Sequence, residues 1–434
     1  MTQLALTIAR RARLAGQMKQ GVAIIPTATE LARNADSNFP FRFDSSFFYL
    51  TAFPEPDAIV VIVAGPQPMS ILFCREKDPE REIWDGYRYG PEAAKAKFGF
   101  DEAWPLAEMD QRIPEILHHQ SCLYSAFGVD ASWDQRVSGW LQATRRLSVR
   151  AHVGPTELRD WRTLVDEMRL IKDEQELGVM RRAAAISGDA HVRAMRFAKP
   201  GCFEYEVEAE LMHEFYRRGS RAPAYGSIVA AGANACVLHY ETNNAVLNDG
   251  DLLLIDAGCE LEGYASDITR TFPVNGKFSG PQRDVYEIVL AAQQAAIDLI
   301  RPGALWSDPH LAAVKVLAQG MLDLKWLEGS LDAVIESEAY RQFYMHQTGH
   351  WLGLDVHDVG DYKQQDSWRA LQPGMVMTVE PGLYVRPTDK VPEAFWHIGI
   401  RIEDDVAITT TGHDVLTAGT PKTIADIEAT MATR

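Results

Sequence analysis

The chain has 434 residues and a formal net charge of −17. That length exceeds what one hydrophobic core usually serves, so two domains are expected. The acidic balance argues against non-specific nucleic-acid binding, and no run of about 20 apolar residues is present to span a membrane. Five scattered cysteines (Cys74, Cys122, Cys202, Cys236, Cys259), with no CxxC pair, read as reduced buried thiols. Arg10, Arg11, Arg13 and Lys19 are not followed by an apolar segment of the signal-peptide kind, so a cytoplasmic enzyme is expected.

In chain order, residues 1 to about 20 read as helix and Gly21-Val-Ala-Ile-Ile-Pro26 as a short buried strand. Residues Arg33 to Phe53 combine Asn34, Asp36 and Asn38 with Phe39, Phe41, Phe47, Phe48 and Tyr49, which predicts a loop packed on something. Ile59–Val63 and Ser70–Cys74 are strands, Ile83 to Pro91 an aromatic loop, and 91–98 and 107–119 helical. Cys122 opens another strand. Strands alternating with helices indicate an α/β domain with a largely covered sheet. A break at Val153-Gly-Pro-Thr156 precedes one long charged helix, about Leu158 to Phe197. This predicts domains at 1–170 and 171–434.

The second domain carries a pattern used twice. A helix ends at Lys199-Pro200-Gly201, and a second runs from Glu206 to Arg218. A further helix from Pro281 ends at Arg301-Pro302-Gly303, and its successor starts at Ser307-Asp308-Pro309, read as an N-cap with proline in the first turn. Glycine-punctuated strands follow each pair. The repeat implies a pseudo-twofold α+β domain with helices outside a sheet.

Carboxylates inside apolar strand-like sequence are costly to bury unless something pairs with them. Asp256 ends the run Leu252-Leu-Leu-Ile, Asp267 precedes Ile-Thr-Arg-Thr271, Glu380 stands in Val379-Glu-Pro-Gly382, and Glu403 in Gly399-Ile-Arg-Ile-Glu403. The eleven-residue gap between the aspartates fits two adjacent strands, with both side chains at the same end. Together with His350 they form a hard, oxygen-rich ligand set suited to manganese, cobalt, iron or zinc. Four negative charges balance two divalent ions, so a dinuclear site is expected. Strand alternation puts Arg401 on the face of Glu403, beside the site. His346 and His350 are spaced i, i+4, but Gln347 stands where an HExxH protease motif needs glutamate, and Gly349 disfavours a helix.

The motifs Asp256-Ala-Gly…Gly-Tyr-x-x-Asp267-Ile-Thr-Arg-Thr, His350-x-Leu-Gly-Leu-x-Val-His357-Asp, Glu380-Pro-Gly and Ile-Arg401-Ile-Glu403 resemble the aminopeptidase P and prolidase metallopeptidases. Residues 33–58 are similar to the amino-terminal domain of the bacterial Xaa-Pro aminopeptidases of that family. The resemblance covers nearly the whole chain. It implies an α/β amino-terminal domain for substrate access and oligomer contacts, and a "pita-bread" pseudo-twofold α+β catalytic domain. It implies two divalent ions, manganese first with cobalt, zinc or iron as alternatives, held by Asp256, Asp267, His350, Glu380 and Glu403.

The activity so implied is removal of the amino-terminal residue from peptides with proline second, by attack of a metal-bridging hydroxide with Glu380 passing the proton. His357 is expected to donate to the oxyanion and His239 to serve the leaving side. The free α-amine is expected near Asp267. His346, Tyr384 and Arg401 are expected as pocket walls and grip on the peptide, and Trp84 as a residue reaching an active site across a subunit boundary of a dimer or tetramer. Gln347 departs from the small residue usual there. The nearest rival is a prolidase restricted to Xaa-Pro dipeptides. A metal-free relative of the fold and a non-catalytic binding protein are the further alternatives.

Overall fold

A computed structural model describes residues 2–147 and 154–433. The chain forms two compact units, Met1–Arg169 and Leu170–Arg434. All five cysteines are buried and free. No helix among the described residues is long and apolar enough to cross a membrane.

The first unit is built on the continuous apolar runs Gly21–Pro26, Ile59–Ala64 and Met69–Cys74, buried along almost their whole length. Such runs need cover on both faces, and they form the middle of a six-stranded sheet. Its order is Glu102–Pro105, Met69–Cys74, Ile59–Ala64, Gly21–Pro26, Cys122–Tyr124, Glu157–Arg159. Gly21–Pro26 runs antiparallel to Ile59–Ala64 and parallel to Cys122–Tyr124. Val22, Ile24, Val61 and Phe73 pack against Ile113 and Leu117 of the helix Met109–Leu117 and against Val137 and Trp140 of Ala131–Arg146.

Three expectations for this half of the chain need correction. Residues Ser45–Thr51 are a helix, not a loop; Asp44 caps it by accepting from the Phe47 N–H, and its apolar face buries Phe47, Tyr49 and Leu50. Pro79–Asp85 is also helical, started by the Asp78 cap and a proline in the first turn, and none of its residues is buried. The aromatic content hid both starts. The single helix from Leu158 does not form either. A strand, Glu157–Arg159, and two helices, Arg162–Leu170 and Glu174–Phe197, occupy that span. The second helix restarts at a reciprocal cap between Asp173 and Glu176, which satisfies two otherwise unpaired N–H groups. Val153, the start of the expected break, lies outside the described residues.

In the second unit the order helix pair, then sheet, occurs twice. Helices Glu174–Phe197 and Glu204–Arg217 precede an antiparallel sheet of Ile228–Ala231, Leu252–Asp256 and Thr269–Pro273. Helices Gly280–Ile297 and Ser307–Asp323 precede an antiparallel sheet of Val376–Val379, Asp404–Ile408 and His413–Val415. Ser307 is not the cap of its helix. Trp306 holds that position without a side-chain hydrogen bond, while the Asp308 carboxylate reaches back to the Leu305 N–H.

Register places the polar residues. Asp256 pairs with Thr269, which leaves Asp267 just outside the sheet beside it. Val379 pairs with Asp404, so Glu380 and Glu403 leave the second sheet together. The two sheets are joined there: Glu403 N–H donates to the Thr269 carbonyl at 3.1 Å, and the Thr271 hydroxyl to the Arg401 carbonyl at 3.0 Å.

Gly258 lets the turn after Asp256 close. A Cβ at this position would stand 1.7 Å from the Ser266 carbonyl oxygen, a backbone atom that cannot swing away. Gly258→Ala is therefore expected to destabilise the protein by about 2 kcal/mol or more. A melting temperature unchanged from the parent protein would refute the packing account of this turn.

Candidate metal centre

The sheet junction opens into a cavity of about 440 Å³. Asp256, Asp267, His350, Glu380 and Glu403 all line it, together with His239, His346, His357 and Arg401. Donor atoms of Asp267, His350 and Glu403 lie within 4.8 Å of one another. His350 Nε2 is 3.3 Å from Asp267 and 3.7 Å from Glu380. Its Nδ1–H donates to the Trp351 carbonyl at 3.0 Å, which leaves Nε2 turned to the carboxylates. That is the arrangement by which a protein fixes an imidazole for ligation.

Tyr225 places its hydroxyl 2.6 Å from Asp256 and 2.5 Å from Asp267. Asp256 also accepts from Arg401 Nη2 at 2.6 Å, and Glu403 from the Thr269 hydroxyl at 2.6 Å. Thr378 donates to Glu380 at 3.4 Å and accepts from the His350 N–H at 3.1 Å. Gly349 makes this approach possible, since a Cβ there would stand 2.1 Å from the Thr378 carbonyl.

Burial and crowding shift the acidity of these groups. Burial and the neighbouring carboxylates push Glu403 well above the usual carboxylate range. Burial raises Glu380 to about 7, although His350 and Arg401 pull it down. Asp256 is raised by burial in spite of Arg401. Asp267 alone goes the other way: burial pushes it up, but His350 and Tyr225 more than reverse this. Burial would lower His350, yet Asp267 and Glu380 raise it to about 9. A crowded set of oxygen donors with one imidazole and no thiolate fits a divalent cation of oxygen-preferring type. All five expected ligand residues face the one cavity.

A second network holds the backbone behind these residues. Asp404, fully buried, accepts from Arg270 at 2.8 Å, Thr417 at 2.7 Å, Lys422 at 2.7 Å and Gln293 at 3.1 Å. Arg270 also donates to the carbonyls of Thr269 and Glu403, at 3.0 and 2.6 Å. Gln293 donates to those of Val379 and Ile402, both at 3.2 Å. The strand ends that carry the candidate ligands are thus tied to one buried cluster.

Residues 178–410 match the metallopeptidase family M24, and residues 7–124 match the aminopeptidase P amino-terminal domain. The chain belongs to metallopeptidase family M24. It is 47% identical over 425 residues to an Xaa-Pro aminopeptidase of Escherichia coli, covering 97% of this chain and 96% of the relative. Human Xaa-Pro aminopeptidase 3 is 35% identical, with 94% and 80% covered. Among solved structures, aminopeptidase PepP of Pseudomonas aeruginosa matches with a TM-score of 0.98 at 48% identity, covering 100% of this chain and 98% of that one. A zinc-substituted E. coli aminopeptidase P in complex with product matches with a TM-score of 0.97 at 46% identity, covering 100% and 99%. The fold is that of an aminopeptidase P amino-terminal domain followed by an M24 catalytic domain.

One of the expected substrate contacts, Tyr384, does not line this M24 cavity. Tyr384 is buried behind the wall, where its hydroxyl donates to His346 Nε2 at 2.8 Å and accepts from Arg401 Nη1 at 3.0 Å. Arg401 lines the cavity and is held there by three bonds, from Nε to Thr269, Nη1 to Tyr384 and Nη2 to Asp256. His346 donates from Nδ1 to the Gln347 carbonyl at 2.7 Å. Burial and Arg401 lower its pKa to about 3, so the ring stays neutral. His357 and His239 are exposed at the cavity, and burial together with His350 lowers the His357 pKa. Trp84 lies in the amino-terminal unit on the helix Pro79–Asp85, 83% exposed. Tyr225 and Glu241 were missed by the sequence reading. Tyr225 had one signal, an aromatic residue in the turn-like Ala224-Tyr-Gly-Ser227 just before an apolar strand.

Glu380, at about 7 against its usual 4.5, takes up protons on folding, so the stability of metal-stripped protein falls as pH rises through that window. His350, at about 9 against 6.5, contributes stability that is fully present below pH 6.5 and lost as pH rises through 9. The melting temperature of metal-stripped protein is expected to fall from pH 5 to pH 9. Calorimetry showing a flat or rising trend would contradict these assignments.

Proposed function

We propose that this M24 peptidase removes the amino-terminal residue from peptides with proline in second position. The observation that carries the reading is the meeting of Asp256, Asp267, His350, Glu380 and Glu403 in one cavity, in a chain 47% identical to an Xaa-Pro aminopeptidase. These five residues would hold two divalent ions, manganese in the first instance. Bound ions supply Lewis acidity and make water acidic enough to attack near neutral pH.

The chain's own groups do the rest. Glu380, at the cavity beside the site of attack, takes a proton from the attacking water and delivers it to the proline nitrogen. That nitrogen carries no hydrogen in the peptide and leaves as an amine only when protonated. His357, exposed at the cavity, donates to the oxygen that gains charge on the scissile carbonyl. His239 bounds the side from which the proline-containing product departs. Asp267 lies where the substrate's α-amine is received. Neutral His346, locked between Tyr384 and the Gln347 carbonyl, gives a wall that does not repel that amine. Trp84 and Ile83, 83% and 80% exposed, support a homo-oligomer, dimer or tetramer, in which this helix meets a second copy.

Metal-stripped enzyme given manganese should release the first residue from an Xaa-Pro-Yaa tripeptide and handle the Xaa-Pro dipeptide poorly. Turnover of the dipeptide alone would replace this reading with a prolidase. Glu380→Gln is expected to lower kcat by roughly 10²-fold or more. His350→Ala should abolish tight binding of the divalent ion, read by chelator competition. An affinity equal to the parent's would remove His350 from the ligand set.

A further inference from the structure

The helix Glu204–Arg217 opens on a carboxylate that the chemistry above does not use. Glu204 is completely buried, and no cation pairs with it among the described residues. Four neutral donors satisfy it instead. One oxygen accepts from the Ala231 N–H at 2.8 Å and the Asn234 amide at 3.0 Å. The other accepts from the Tyr240 hydroxyl at 2.8 Å and the Ala245 N–H at 2.8 Å. Burying a charge in this way is costly unless its acceptor sites are filled. Here a single segment, 231–245, fills them.

The carboxylate is not serving its own helix. The cap at that helix start comes from Glu206, whose side chain accepts from the Phe203 N–H at 2.7 Å. Every partner of Glu204 belongs to the segment that runs from the strand Ile228–Ala231 towards Leu252–Asp256. One helical turn on, Glu208 accepts from the Asn243 amide at 3.1 Å. Asn243 is buried in the left-handed region, with φ of 47°, and its side chain also bonds the Val229 N–H and the Ser227 carbonyl. The segment is therefore held at its start, middle and end. The part between these holds, Leu238, His239 and Glu241, forms one wall of the cavity.

We propose that Glu204 is a positioning residue for this wall, fixing where His239 stands and acting on turnover through it. The proposal rests on the reading of His239 as a residue of the substrate-binding cavity. Replacing the carboxylate by an amide of the same shape puts an NH₂ group against donors, so Glu204→Gln releases at least one of the four holds. Tyr240→Phe removes one donor and leaves the other three in place, a milder version if Glu204→Gln folds poorly.

The test is a double-mutant cycle on the manganese-loaded full-length protein with an Xaa-Pro-Yaa tripeptide, comparing Glu204→Gln, His239→Ala and both together. Hydrogen exchange over 231–245 is followed in the same proteins. The expected result is a loss in kcat/KM of about tenfold for Glu204→Gln, shrinking to less than twofold when His239 is already alanine. Faster exchange should be confined to 231–245, with Tyr240→Phe intermediate in both measurements. An equal loss in both backgrounds, or unchanged exchange in 231–245, would overturn the proposal. If the tripeptide is not cleaved at all, the substrate reading fails, and the exchange result still decides whether Glu204 holds the wall.

Discussion

Like charges forced together inside a protein set the terms for everything else in this molecule. Asp256, Asp267, Glu380 and Glu403 crowd one end of the cavity, and burial first, then their mutual repulsion, makes Glu403, Glu380 and Asp256 hold protons more tightly than free side chains do. Left to themselves, such groups would separate. They cannot, because the backbone on either side is fixed by bonds that do not involve the carboxylates. Arg270 and Gln293 grip the carbonyls of Thr269, Glu403, Val379 and Ile402, and Asp404 gathers Arg270, Lys422, Gln293 and Thr417 around itself. The cluster therefore holds the strand ends that carry the carboxylates against spreading.

The same logic orders the imidazoles. His350 is committed by its Nδ1–H to a backbone carbonyl, so its reactive face is chosen before any ligand arrives. His346 is fixed from both sides, and the Arg401–Tyr384–His346 relay carries a cation's influence to the wall without exposing the cation. These are buried or half-buried bonds, each satisfying a partner that would otherwise be left unpaired. Specific orientation here is a by-product of complete pairing.

The sequence made much of this legible, for a physical reason. Acidic residues at the ends of apolar strands are expensive, so Asp256, Asp267, Glu380 and Glu403 stand out against Leu, Ile and Val. The two helix pairs could be read because proline and glycine, at Pro200-Gly201 and Pro302-Gly303, part the first helix of each from the second. What stayed hidden was long-range. Tyr225 looks like any turn aromatic until the register of two strands brings both aspartates to its hydroxyl. Arg401 and Glu403 line the same cavity, but nothing local says that Asp256, 145 positions away in sequence, takes up the Arg401 guanidinium. Short helices such as Ser45–Thr51 and Pro79–Asp85 were misread because aromatic residues among turn formers carry no clear period, and only their aspartate caps mark them.

The frame behind the cavity draws on Arg270, Gln293, Asp404 and finally Lys422, while the cavity itself is not closed until Glu403. A chain is made from its amino terminus and folds domain by domain as it emerges. During synthesis the first unit and the sheet that positions Asp256 and Asp267 can already be folded while three of the five candidate ligands have yet to exist. A peptidase assembled in this order cannot act on newly made protein before it is itself nearly finished. Completion of the fold serves as its safety catch.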